Sequence, residues 1–272
     1  MGLRWRVLAL LLMMVSVGPA GAQTLHAILV GDTEDASIGT GVIANLNRMR
    51  AFLKQVQTEG NIAVSIVEVK DDNFNCREIL KVVRDVRVDA DDAVVFYYAG
   101  HGFRRTETQT QFPEFDCRRS ASVDRADLSG VANYLLKFDG SRPRTAPRLL
   151  IAIADTCNVL VDEQQVPKQA GRPRVAARPN REIELRQLFL QYSGTLIMSG
   201  SSPGDPSWYL SSGGFFTNQL LLAINAHLES VAAARWETIA SDATKQIFIP
   251  ITTPTVQKPQ YAPSNLRVDA AP

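Results

Sequence analysis

The sequence predicts an α/β layer sandwich built around a mostly parallel sheet. Two strings carry that reading, AVVFYYAGHG at 93–102 and LLIAIADTCN at 149–158. Each is an apolar run that stops abruptly at a small, polar segment, the signature of a strand buried on both faces of a parallel sheet. The third observation is alternation. Strand-like runs and runs of helical period take turns along most of the chain, as α/β layer folds require.

The elements follow in order. LHAILVG (25–31) reads as a first strand ending at a glycine, and GVIANLNRMRAFLKQV (41–56) places Val42, Ile43, Leu46, Met49, Phe52, Leu53 and Val56 at helical spacing. AVSIVEV (63–69) is a second strand, CREILKVVRDV (76–86) a second helix and AVVFYYAG (93–100) a third strand. RADLSGVANYLLKF (125–138) is helical, RLLIAIA (148–154) a fourth strand, REIELRQLFLQY (181–192) helical, TLIMSG (195–200) a fifth strand and FFTNQLLLAINAHL (215–228) a helix. IFIPI (247–251) reads as a last, edge strand, because Pro250 has no N–H to give a ladder.

The bulk numbers narrow the class. The chain has 272 residues, 45% hydrophobic and 21% charged, an ordinary globular composition. Its N-terminus reads as a targeting segment: Arg4 and Arg6 precede VLALLLMMVSV, and Ala20-Gly21-Ala22 offers an A-x-A cleavage signal. The expectation is a signal peptide over 1–22, removal after Ala22, and an exported periplasmic or secreted protein beginning at Gln23. The apolar run is too short for a membrane span. Loss of the two arginines takes the net charge from +1 to −1, so nothing points to a nucleic-acid partner. Export implies an oxidising compartment. Three cysteines, Cys76, Cys117 and Cys157, leave at least one thiol unpaired. Cys76 and Cys117 could pair with each other, which sequence alone does not decide.

One stretch breaks the pattern. VPKQAGRPRVAARPNR (166–181) contains Pro167, Pro173 and Pro179, five basic residues and no acid, and reads as an exposed linker within one domain.

The strand ends carry the chemistry. Open parallel sheets place reactive groups just beyond the carboxyl ends of their strands, so His101 and Cys157 are expected at one edge. A neutral thiol is a poor nucleophile, and a nearby imidazole supplies the base it needs. The glycines beside His101 allow close approach of a substrate backbone and can aim an N–H at an oxyanion. A lone strand-end histidine or a buried cysteine is often merely structural; two such residues in GHG and D-x-C contexts on neighbouring strands point to a cysteine hydrolase. There is no C-x-x-C pair, so no metal site is expected.

YYAGHG and ADTCN resemble the His and Cys boxes of caspase-like cysteine peptidases (peptidase C14), nearest to the bacterial metacaspase-like members. The two residues lie 56 positions apart, close to the roughly 50 expected of caspases. SGSSPGDPSWYLSSGGFFTNQLL (199–221) is similar to a third caspase stretch, and MRAFL (49–53) resembles the helix after the first strand. The resemblance implies a caspase-like three-layer sandwich, a mostly parallel six-stranded sheet with helices on both faces. It implies a peptidase domain over 23–262, with a large portion 23–165, the basic linker 166–181, a small portion 182–262 and a tail over 263–272. It also implies Cys157 as nucleophile, His101 as base, and the Gly102 and Cys157 backbone N–H groups as oxyanion hole.

The same resemblance points to Asp155 in the pocket for the residue before the scissile bond, P1, where Ala99 is a further candidate and Asp205 of the SSPGDPSW loop could supply a second acid. Caspases grip a P1 aspartate with arginines, one of which follows the Ser-Trp pair. Here Tyr209 follows Ser207-Trp208, and the loop after the first strand holds Asp32, Glu34 and Asp35. Asp155 matches the metacaspase acid that lines this pocket and would bind Arg or Lys through charge-assisted hydrogen bonds, worth about 1.5–3 kcal/mol each. A second pocket aspartate usual in metacaspases is Asn45 here, and DTCN stands where DSCHSG is common. Asp155 could alternatively cap the following turn.

An acidic pocket beside a basic linker also predicts self-cleavage. Pro after the scissile bond disfavours Arg172 and Arg178, which leaves Lys168, Arg174 and Arg181. The expected partner is a peptide or protein substrate, with no nucleic acid and no membrane span. Calcium is the one cofactor left open, through acidic clusters at Asp71-Asp72 and at Asp89, Asp91 and Asp92, although no spaced calcium loop is present. Two other readings stand beside the basic-specific endopeptidase: a catalytically silent binding module of the same fold, and a peptidase preferring an acidic P1 residue.

Overall fold

The structure is a computed structural model that describes residues 23–117, 125–139, 142–143, 145–159, 181–249 and 255–269. Its centre is a six-stranded sheet. The strands are β1 (Thr24–Gly31), β2 (Ala63–Val69), β3 (Ala93–Ala99), β4 (Leu149–Asp155), β5 (Tyr192–Ser199) and β6 (Gln260–Val268). Their spatial order is β6-β5-β4-β3-β1-β2. Pairings among β1 to β5 are parallel, and β6 runs antiparallel to β5. The helices are α1 (Gly39–Glu59), α2 (Cys76–Asp85), α3 (Leu128–Lys137), α4 (Arg181–Arg186), α5 (Phe215–Leu228) and α6 (Trp236–Ala243).

The two defining strings form the two central strands. Every residue of β3 and β4 is buried. Their side chains alternate between two cores: Val95, Tyr97, Ile151 and Ile153 pack under α1, α5 and α6, while Val94, Phe96, Leu150 and Ala152 pack under α2 and α3. A continuous apolar run is what a strand covered on both faces needs. Truncating a side chain such as Phe96 to alanine would cost about 3–5 kcal/mol.

Local chemistry fixes the helix starts. Asn75 accepts a hydrogen bond from the Glu78 N–H at 2.9 Å and caps α2. Ahead of α1, the Asp35 carboxylate accepts from the backbone N–H groups of Ser37 and Ile38 at 2.8 and 2.9 Å. Cys76 and Cys117 form a disulfide across 41 residues of sequence, and the Cys76 N–H also donates to the Cys117 carbonyl. That bond ties the start of α2 to the segment following His101.

Several expectations are corrected. The edge strand is β6, and residues 263–268, assigned to a tail, belong to it. Residues 247–249 instead pair with 255–257 in a separate two-stranded ribbon. The predicted helix over 181–192 keeps only its first six residues as α-helix, because five residues of wider π-turn follow and β5 begins at Tyr192. The indole of Trp236 donates to the Leu188 carbonyl there at 2.7 Å, occupying an acceptor within the widened turn. Arg181, a processing candidate, is the buried first residue of α4, with its guanidinium paired to Glu59 and bonded to Asn225 at 2.9 Å. A side chain so enclosed in a helix start is not offered to an active site. Lys168 and Arg174 lie outside the described residues.

Candidate active site

The chain passes from β1 to β2 on one side of the sheet and to β3 on the other. The crevice outside the carboxyl ends of β1 and β3 is therefore a topological switch point, where open α/β sheets bind ligands. Ala99 pairs with Asp155 at the ends of β3 and β4. His101 and Cys157 each follow two residues later, on adjacent strands at the same edge. Gly102 packs against the Cys157 turn: a Cβ there would lie 2.9 Å from the Cys157 carbonyl oxygen and would collide with the Thr156 hydroxyl. Only glycine permits that approach.

Each reactive side chain is held by a different loop. The His101 Nε2 lies 3.2 Å from Ser37 Oγ and 3.3 Å from Asp35 Oδ1, both in the loop after β1. The His101 carbonyl accepts from the Tyr98 hydroxyl at 2.6 Å and from the Asp116 N–H at 2.9 Å, so the backbone carrying the ring is fixed from two sides. The Cys157 thiol donates to the Ser207 carbonyl at 3.4 Å and accepts from the Ser207 N–H at 3.3 Å. Among the described residues no hydrogen bond joins thiol and imidazole directly. Burial pushes the Cys157 thiol above its ordinary range, with the nearby Asp155 adding to the rise.

Asp155 is fully buried, and its carboxylate accepts from Asn45 Nδ2 (3.1 Å), Ser207 Oγ (2.9 Å), the Thr217 N–H (3.0 Å) and Thr217 Oγ1 (2.6 Å). Thr217 stands in the first turn of α5, whose cap residue Gly214 has no side chain to offer. A carboxylate from β4 therefore caps α5 from across the fold. Desolvation pushes the carboxyl up, and these hydrogen bonds oppose that rise. Asn45 also accepts from the Gly214 N–H at 2.9 Å. A neutral amide fits here because it donates to Asp155 with one end and accepts with the other, whereas a second carboxylate would face Asp155 with like charge.

The other pocket candidates are accounted for as well. Ala99 is fully buried, on the α1 side of the core. The Asp205 carboxylate pairs with Lys258 Nζ at 3.0 Å. Two residues were not singled out by sequence. Gln257, fully buried, donates to Ser207 Oγ and to the Gly200 carbonyl and accepts from the Trp208 N–H, fixing the loop that holds the thiol. Arg48 Nη1 lies against Gly213 beside Asn45 Oδ1, bringing a cation to the pocket region.

Two of the acids left open for calcium have protein partners. Asp71 bonds Thr33 and Lys70, and Asp92 bonds His26 and the N–H groups of Thr24 and Asp89. No group of metal-ligating side chains occurs among the described residues.

The sequence as a whole matches the profile of one family. The profile for the caspase domain of C14 peptidases matches residues 25–268. The chain belongs to the caspase-domain family. Among solved structures, caspase-1 of the moth Spodoptera frugiperda aligns with a TM-score of 0.52 at 13% identity, covering 89% of this chain and 86% of that one. A protein of Geobacter sulfurreducens aligns with a TM-score of 0.51 at 12% identity, covering 89% and 93%. At such identities these two share the fold. No curated protein matches the sequence. Membership makes a cysteine peptidase the general expectation, with peptides or proteins as substrates.

Proposed function

We propose that this caspase-domain protein is an exported cysteine endopeptidase using Cys157 as nucleophile and His101 as base. The observation that carries the reading is the pairing of Ala99 with Asp155, which brings the two residues out side by side at one sheet edge with Gly102 against the Cys157 turn. In the reaction, Cys157 gives its proton to His101, and the thiolate attacks the scissile carbonyl carbon. The displaced electron pair moves to oxygen, faced by the Gly102 and Cys157 N–H groups. Collapse breaks the C–N bond, and the amine leaves with the proton from His101. Water then releases the acyl group from sulfur, with His101 accepting its proton. The disulfide supports the export reading, since such bonds persist in oxidising compartments.

Preference for Arg or Lys at P1 rests on Asp155. Oδ2 takes three of its four hydrogen bonds and Oδ1 only one. A carboxylate oxygen has two acceptor sites, so Oδ1 retains one for a basic side chain. Arg48 supports the second reading, an acidic P1 residue, in that it brings positive charge beside the Asn45 that bonds Asp155. Self-cleavage, if it follows the same preference, falls at Lys168 or Arg174.

The test is hydrolysis of paired fluorogenic peptides ending in Arg and Asp by the wild-type chain and by Cys157→Ala. Turnover lost in the variant supports the peptidase, and faster Arg cleavage supports the basic pocket. A folded wild type that neither cleaves any peptide nor forms an adduct with a peptidyl ketone reagent would establish the silent binding module instead.

A further inference from the structure

The loop after β1 does more than start α1. Ser37 has a single hydroxyl proton, and it is donated to Asp35 Oδ1 at 2.6 Å. The 3.2 Å contact between Ser37 Oγ and His101 Nε2 must then be accepted by the serine oxygen, which requires the hydrogen on Nε2. Asp35 Oδ1 stands 3.3 Å from the same nitrogen, and its carboxyl is lowered to about 2: burial opposes that fall, while the bonds from Ser37 and Ile38 and the charge of His101 outweigh it. Among the described residues Nδ1 has no hydrogen bond. β3 lies between β1 and β4, so Nε2 is tied on the side of β1, away from the strand that carries Cys157.

We propose that Ser37 and Asp35 are positioning residues: a hydroxyl–carboxylate relay that holds the His101 ring with its proton on Nε2 and its lone pair on Nδ1. Nδ1 is then the atom that takes the Cys157 proton. The Nε2–H stays on Ser37, and the Asp35 carboxylate faces the imidazolium that forms. No proton needs to travel along the relay. The catalytic consequence rests on the cysteine-peptidase reading; the ring orientation does not.

The ring can be read directly. In the full chain labelled with 15N-histidine, at alkaline pH, the nitrogen bearing the proton is identified by NMR, with His101 assigned through loss of its signal in His101→Asn. The wild type is expected to carry the proton on Nε2. Ser37→Ala breaks the link, and Asp35→Asn removes the charge while retaining an oxygen for the Ser37 and Ile38 N–H groups. Both are expected to yield a mixture of tautomers. Ser37 is exposed, so Ser37→Thr keeps the hydroxyl without a clash and is expected to match the wild type. With a peptide substrate, Ser37→Ala and Asp35→Asn are expected to lose about ten- to a hundredfold in kcat at constant KM, the loss of one charge-assisted hydrogen bond, and Ser37→Thr is expected to restore it. A wild-type ring protonated on Nδ1, or a tautomer indifferent to both substitutions, overturns the relay. An inert wild type with the expected tautomer response would defeat the peptidase reading while leaving the relay standing.

Discussion

Replacing Asp155 with alanine separates the two roles that this carboxylate has been given. Its four donors come from Asn45, Ser207 and Thr217. The Ser207 and Thr217 hydroxyls can turn elsewhere, and Thr217 Oγ1 already contacts the Tyr97 hydroxyl at 2.7 Å. Asn45 Nδ2 and the Thr217 N–H cannot, and each orphaned buried donor costs about 1–3 kcal/mol. The vacated volume adds roughly 1 kcal/mol. Relief of the buried charge subtracts part of the total. The expected net destabilisation is about 3 kcal/mol, which lowers Tm by about 6–12 °C for a chain of this size. Thermal and urea unfolding followed by circular dichroism, in a Cys157→Ala background that prevents self-cleavage, measure it. Stability within 1 kcal/mol of the parent would refute the capping role. If that unchanged stability came with loss of Arg-peptide cleavage in the active background, Asp155 would be a substrate ligand instead.

Three further outcomes follow from the same contacts. Asp35 has a folded-state carboxyl lowered to about 2 against an ordinary 3.8, so it contributes stability above the unfolded value that is lost as pH falls from about 4 to about 2; with solvent screening of this partly exposed group the loss is about 1 kcal/mol. Acid unfolding of Asp35→Asn should lack that loss, and identical acid profiles would contradict the assignment. Gly102→Ala should drive a methyl into Thr156 and the Cys157 carbonyl, destabilise by about 1–3 kcal/mol and abolish turnover; a fully active variant would show that this backbone approach is not needed. Reducing Cys76–Cys117 opens a loop of 41 residues and should lower stability by about 2–4 kcal/mol, read as a urea midpoint shift with and without reductant. An unmoved midpoint would mean the bond holds nothing.

Legibility of the chain followed the range of the interactions. β3 and β4 were readable because burial on both faces imposes unbroken apolar runs, and the helices flanking them show a helical period. The edge was not. β6 carries Pro263 and Arg267 and is largely exposed, so it lacks an apolar signature, while IFIPI has one and forms only a small ribbon. α6 is eight residues long and follows an alanine-rich stretch, too short to show a period. At the site, the placement of His101 and Cys157 just beyond two paired strand ends was legible, because the apolar runs stop immediately before them. The surroundings were not, because they are made by partners distant in sequence: Asn45 to Asp155 across 110 residues, Ser37 to His101 across 64. The local D-T-C-N string cannot announce that its aspartate will cap a helix beginning sixty residues later. Arg48 and Gln257 carried no signal in their own neighbourhoods.

The account depends above all on His101 acting upon Cys157. The most direct measurement is the rate at which Cys157 reacts with iodoacetamide, alongside peptide turnover, in wild type, His101→Ala and Cys157→Ala. The account predicts no turnover in Cys157→Ala, and in His101→Ala turnover slower by about 10²–10⁴-fold with its thiol alkylated more slowly at neutral pH. Equal alkylation and equal turnover with and without the imidazole would contradict it.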